Sequence, residues 1–320
     1  MNDRSLKSLA AFDFVQGSSK AVQSQWPDLK PADGYRWLHL DLNESSTADW
    51  IKETLGEIPA TALLQAETRP RCEPHEDGLI LNLRGVNLNP ESDPEDMVSL
   101  RMWVTENAIV SARVRKVFAA DEMRKHAEAG KGPVSIGQFL TELSTALANR
   151  IEEISLSMEE TTDQLEEETL DGELSSANRI TSVRRAAIKM RRFVHPQREA
   201  IANLAELHDW TFSPDELARL REVSNKVKRT VEELDSVRDR LSAIQEHVDA
   251  TRTKTLGRNS YVLSVVAAIF LPLGFLTGLF GVNVGGMPGI ESASAFWILT
   301  GLSIVTGILL YLVFKFSKWL

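Results

Sequence analysis

Hydrophobic and polar positions change their period twice along the chain. Over roughly the first 130 residues, short apolar runs alternate with turn residues. Tyr35–Leu42, Leu79–Leu88, Ser99–Thr105 and Ala108–Arg113 read as strands, the last two as a hairpin through Glu106 and Asn107. Ala48–Leu55 and Pro59–Gln65 predict short helices, and Pro70, Pro74 and the Pro90–Pro94 stretch mark loops. This predicts an α/β or α+β domain over residues 1–134. From about Ser135 the period becomes helical. Ile136–Leu170 predicts one long helix broken by Gly172, and Ser176–Leu207 a second, which Pro196 should kink or divide. Together they form a helical hairpin over residues 135–212. Ser213, Pro214 and Glu216 form a helix start with a capping box. Leu220, Val223, Val227, Leu234, Val237, Leu241, Ile244 and Val248 then continue at spacings of three, four and seven, so a stalk helix fills 213–260.

The last period is uniformly apolar. Asn259 to Ile290 contains no Asp, Glu, Lys, Arg or His, and after Glu291 none follows until Lys315. Tyr261–Phe280 and Ala295–Phe314 are each twenty residues, ~30 Å of helix and the thickness of a hydrocarbon core. We expect spans over 261–283 and 295–314, an external loop at 284–294 and a basic tail at 315–320. Arg252, Lys254 and Arg258 precede the first span, and Lys315 and Lys318 follow the second, whereas the loop has no Lys or Arg. The positive-inside rule places both termini in the cytoplasm. The N-terminus shows no signal peptide, its apolar run from Leu9 being broken by Asp13.

Charge sharpens the division. Of 320 residues, 36 are Lys or Arg and 45 Asp or Glu, net −9. The last 61 residues hold only Glu291, Lys315 and Lys318, so the first 259 carry −10. An acidic body argues against nucleic-acid binding. Ten carboxylates lie between Glu152 and Glu173, opposite a basic run from Arg179 to Arg192. They read as a salt-bridged hairpin or as a surface that attracts hydrated divalent cations. The single cysteine, Cys72, excludes an internal disulfide framework. Cys72 and His75 fall in what reads as a loop with plausible zinc ligands, but no second half of a four-ligand site exists. Neither a P-loop nor a G-x-S-x-G elbow is present, so neither an enzyme nor an ATP-driven pump is expected. No resident cofactor is expected.

Two spans cannot enclose a water path alone, so conduction would require several chains around one axis. Ser260, Leu263, Ala267, Leu271, Gly274 and Gly278 share one stripe of the first span. Glycines at such spacing permit close helix packing or bare the backbone toward a pore. Asn283, at the external end, reads equally as a helix cap or as a neutral oxygen ring for a hydrated cation.

The long helix, two terminal spans and Gly281-Val282-Asn283 resemble the CorA superfamily of divalent-metal transporters, whose usual signature is Gly-Met-Asn. Valine in the middle resembles its ZntB zinc-transporter branch. Glu67–Arg71 (ETRPR), Met190–Phe193 (MRRF), Pro196–Arg198 (PQR), Phe270–Pro272 (FLP), Phe275–Phe280 (FLTGLF) and Ser317–Leu320 (SKWL) resemble that branch too. The resemblance implies a homopentameric funnel in the bacterial inner membrane. It implies a pore lined by the first span, a filter at Gly281, Val282 and Asn283, and Zn²⁺ or another divalent cation as cargo, with uptake coupled to protons. The spans hold no His and no Cys, the ligands zinc favours, and no Asp, Glu or His to relay protons. Glu291 is then the nearest group able to attract cations or carry a proton. A magnesium or broad divalent channel, and a membrane-anchored coiled-coil scaffold, are the competing readings.

Overall fold

The computed structural model describes residues 8–15, 21–23, 34–172, 177–207, 212–281, 289 and 292–316. The chain divides into two units, Met1–Gln245 and Glu246–Leu320.

In the first unit, strands β1 (Ser8–Phe14), β2 (Ala21–Gln23), β3 (Tyr35–Asp41), β4 (Arg71–His75), β5 (Gly78–Gly85), β6 (Val98–Thr105) and β7 (Ala108–Arg113) form one sheet. Their order is β2-β1-β3-β7-β6-β5-β4. Only β3 and β7 run parallel, and the other pairs are antiparallel. The β6–β7 hairpin forms as expected, with Val104 opposite Ile109. Helices α1 (Ser45–Thr54) and α2 (Glu57–Leu64) cover one face. There Ile51, Leu55, Ala60 and Leu63 pack on Leu38, Leu40, Val110 and Ala112. On the other face lie α3 (Phe118–Glu128), α4 (Ile136–Leu170) and α5 (Ala177–Ala205). Phe139 of α4 meets the buried Trp37 edge-on, with centroids 4.9 Å apart. Gly85 sits so close to Leu147 that a Cβ would come within 2.9 Å. The result is three layers, helices on both faces of a mixed sheet.

Several expectations need correction. The sequence pattern predicts no element at β1, β2 or α3, and it marks a loop at Pro74 where β4 forms. Pro74 lies within β4 because β4 is the sheet's edge and its outer backbone makes no ladder bonds. α5 runs unbroken through Pro196. The acidic face of α4 pairs mainly with α6 (Pro214–Gly281) rather than with α5. Lys226 holds Glu152 at 2.7 Å and Arg240 meets Asp163 and Glu166, and Arg179 of α5 meets Glu168. The basic face of α5 finds Asp96 through Lys189 and Asp235 of α6 through Arg191. These partly exposed pairs contribute little each. The apolar seam supplies the cohesion, for Leu220, Val223, Val227, Leu234, Val237, Leu241 and Ile244 are all buried.

Capping aligns the helices. Ser213 Oγ accepts from Glu216 N at 3.3 Å, and Glu216 Oε2 accepts from Ser213 N at 2.6 Å, completing the expected box. The same carboxylate accepts from Ser135 Oγ at 2.7 Å through Oε1, while Ser135 Oγ caps α4 by accepting from Gln138 N. One glutamate thus joins the starts of two helices. α4 ends at Gly172, whose φ of +79° is open to glycine at no steric cost. Glu216→Ala is expected to destabilise the soluble body by about 1–2 kcal/mol, read as a lower urea midpoint at unchanged slope. An unchanged midpoint would refute the shared cap.

Candidate functional site

In the second unit, the last part of α6 and helix α7 (Ala295–Phe316) are long and apolar enough to cross a membrane, and the apolar window of neither is buried. α6 remains helical from the stalk to Gly281, including Pro272. Thr277 satisfies its hydroxyl within the helix by donating to Leu273 O at 2.9 Å, and Ser264 donates to Ser260 O. Lone polar groups in this segment therefore need no outside partner.

At 100° per residue, Ser260, Leu263, Ala267, Leu271, Gly274 and Gly278 fall within about 40° of one line along α6. All six are exposed. A Cβ built on Gly274, Gly278 or Gly281 would meet no atom within 4 Å. Packing within one chain therefore does not demand glycine at these places. Gly281 is the last residue of α6, whereas Val282, Asn283 and Glu291 lie outside the described residues.

Cys72 and His75 are not brought together. They lie on strand β4 rather than in a loop, three residues apart and so on opposite faces. Cys72 points inward, and burial pushes its thiol up to about 12, so it carries no thiolate near neutral pH. His75 lies against the Trp103 ring on the other side. Among the described residues, no group of three or more His, Cys, Asp or Glu is arranged to hold a metal ion. The carboxylates of α4 do not assemble into one. Glu233 of α6, lying near Glu159 and Glu152, has its carboxyl raised by burial and then by those like charges.

Sequence reading missed Arg84, where three of the family-like stretches converge. Its guanidinium donates to Thr68 O at 2.8 Å and to Met97 O, and lies 3.8 Å from the centroid of the Phe193 ring. Its backbone N donates to Gln197 Oε1 at 2.6 Å. ETRPR, MRRF and PQR thus clamp β5 to α5. Burial, with Arg101 and Arg192 nearby, pulls the Arg84 guanidinium down to about 10. Arg101 caps α2 in the same manner, donating to Leu63 O at 2.9 Å and to Ala66 O. No local period announces either arginine, because their acceptors are backbone carbonyls distant in sequence.

Similarity to known proteins follows this architecture end to end. A zinc transport protein ZntB of Yersinia enterocolitica is 31% identical over 316 residues, 97% of this chain and 96% of that protein. A divalent cation transporter CmaX of Pseudomonas aeruginosa is 33% identical over 298 residues, 92% of this chain and 90% of its own. The solved structure of a full-length CmaX protein superposes with a TM-score of 0.82 at 30% identity, covering 99% of this chain and all of that one. The family described as CorA-like Mg²⁺ transporter protein matches residues 32–315. With sequence, soluble fold and paired apolar helices in agreement, the chain belongs to the CorA-like transporter family.

Proposed function

We propose that the protein moves divalent cations, with Zn²⁺ as the principal cargo, across the bacterial inner membrane as a homopentamer whose first spans surround a common axis. The glycine-bearing stripe of α6 carries this reading. A Cβ on Gly274 or Gly278 would meet no atom within 4 Å, so their use lies with neighbouring helices or with a lumen. The stalk supports it too. From Asp249 to Ser264, α6 is exposed on every side, and such a helix gains stability from adjacent copies. The family and the zinc- and divalent-cation-transporting relatives supply the cargo class.

In this reading, residues 1–134 and 135–212 build the cytoplasmic body and 213–260 the stalk. The spans occupy 261–283 and 295–314, joined by an external loop at 284–294, and a basic tail fills 315–320. Arg252, Lys254, Arg258, Lys315 and Lys318 hold both termini in the cytoplasm. Ser260, Leu263, Ala267, Leu271, Gly274 and Gly278 line the path, and Gly281, Val282 and Asn283 form its external mouth. Asn283 offers a carboxamide oxygen to the water shell of the ion. Glu291 concentrates cations outside, and a proton couples through Glu291 or through groups of the cytoplasmic body. The membrane potential contributes ~2.3 kcal/mol per charge per 100 mV inward, twice that for Zn²⁺.

A magnesium or broad divalent channel is the second reading, favoured by the absence of His and Cys from the spans. Zinc flux into proteoliposomes, with Mg²⁺ as competitor and an imposed pH gradient, separates the two. Zinc entry enhanced by external protons and indifferent to excess Mg²⁺ is the expected result. Entry that Mg²⁺ blocks and the gradient leaves unchanged would replace zinc with the broader reading. In the same assay Glu291→Gln should flatten the pH response. An unchanged response would move proton coupling into the cytoplasmic body.

Gly274→Leu and Gly278→Leu should each lower flux at least about tenfold while the oligomer, measured by size-exclusion chromatography with light scattering, stays intact. Undiminished flux in either variant would remove the stripe from the path.

A further inference from the structure

α4, α5 and the soluble part of α6 pack as a three-helix bundle. An ion pair joins each two of them: Glu168 with Arg179, Glu152 with Lys226, and Arg191 with Asp235. Ile151, Met158 and Leu165 of α4 and Ile180, Ala187 and Val194 of α5 are buried. Glu168 meets Arg179, and Met158 shares a cavity wall with Ala186, so α4 and α5 run antiparallel.

The faces turned away from the bundle carry charge that the chain itself does not pair. At 100° per residue, Glu153, Glu160 and Glu167 lie opposite the buried stripe of α4, and all three are exposed. Leu156, 46% exposed, sits three residues after Glu153 and four before Glu160. On α5, Arg185 and Arg192 lie opposite the buried stripe in the same way and are exposed. Ile188, 47% exposed, again sits three residues after the first and four before the second. Neighbouring charges on both helices are taken up, Glu152 by Lys226, Asp163 by Arg240, Lys189 by Asp96 and Arg191 by Asp235. Among the described residues none of the five outward charges has an ion-pair partner, although Arg192 leans over the Phe193 ring.

The two stripes match in spacing and oppose in sign. One reads acid, apolar, acid and the other base, apolar, base. They cannot meet within one chain, because each points away from the bundle that holds it. Against its own kind, either stripe would bring like charges together, which is costly. Against the other, in antiparallel sense, Leu156 meets Ile188 while Glu153 reaches Arg192 and Glu160 reaches Arg185. Rotation about an axis along the helices keeps that sense between α4 of one copy and α5 of another.

We propose that neighbouring copies of this chain dock through their soluble bodies, the Glu153–Leu156–Glu160 stripe of one on the Arg185–Ile188–Arg192 stripe of the next. Two different surfaces meet, so the contact is heterologous and repeats around a ring. The inference rests on the homo-oligomeric part of the transport reading and names the surface that part uses outside the membrane. Exposed ion pairs are individually weak. The contact forms because the spans already hold the copies side by side at high effective concentration.

Cysteine cross-linking of the full-length protein in proteoliposomes tests this. Leu156→Cys with Ile188→Cys replaces two exposed side chains, and the native Cys72 is buried and protonated. Mild oxidation should give a ladder from dimer to the full oligomer on a non-reducing gel, and neither single variant should pass dimer. In the double-cysteine background, Arg185→Glu should lower the cross-linked fraction at least about threefold, the scale of reversing one exposed pair, and adding Glu160→Arg should restore it. Monomer bands from particles that light scattering in detergent shows to be oligomeric would overturn this interface and leave the oligomer standing. Monomeric particles would overturn both. A ladder that Arg185→Glu leaves unchanged would overturn the pairing of the charges.

Discussion

Asn259 to Ile290 carries no Asp, Glu, Lys, Arg or His, and the helix through it shows apolar side chains to solvent on every face. Water cannot hold such a helix, and hydrocarbon admits it only because its backbone groups bond within the segment. Everything functional follows from that constraint. Ser264 and Thr277 turn their hydroxyls back onto the helix, and charge is held to Arg252, Lys254 and Arg258 before the span and Lys315 after the second. In hydrocarbon the apolar effect no longer draws helices together, so small residues and close backbone approach do that instead. Gly274, Gly278 and Gly281 leave room for such an approach.

The soluble body works by opposite rules. Its sheet is buried on both faces, and its cohesion comes from side chains such as Trp37, Phe139, Ile51 and Leu63. Polar groups enter this interior only with partners. Arg101 closes the end of α2, Arg84 ties β5 to the loop before β4 and to α5, and Ser111 satisfies Trp37 and His39 together. Removing one partner of such a bond leaves the other buried and unsatisfied, which costs more than the bond contributes. The clamp on Arg84 gives three separated family-like stretches one structural task, holding β5 to α5.

Selectivity is the point at which chemistry and kinship divide. Zinc prefers imidazole and thiolate, and neither occurs in the spans. The one cysteine is buried and protonated on a strand face opposite His75. The apolar helices therefore offer a cation hydroxyls and backbone carbonyls rather than soft ligands, and discrimination by such hard donors depends on the cost of shedding or keeping a hydration shell.

Much of this was legible in one dimension. The spans, the seam from Leu220 to Ile244, the box at Ser213 and Glu216, the stop at Gly172 and the β6–β7 hairpin are written by neighbours in sequence. Caps, heptad spacings and turns act over a few residues, so their pattern survives without the fold. Tertiary structure alone decided the strand order, the place of β1 beside β3, and the strand made from Arg71–His75 despite Pro74. It also decided the turning of α4's carboxylates toward α6. Each of these depends on partners dozens of residues away. The cavity at His39 shows the difference most plainly. His39, Trp37, Ser111 and Arg113 meet there only because β3 pairs in parallel with β7.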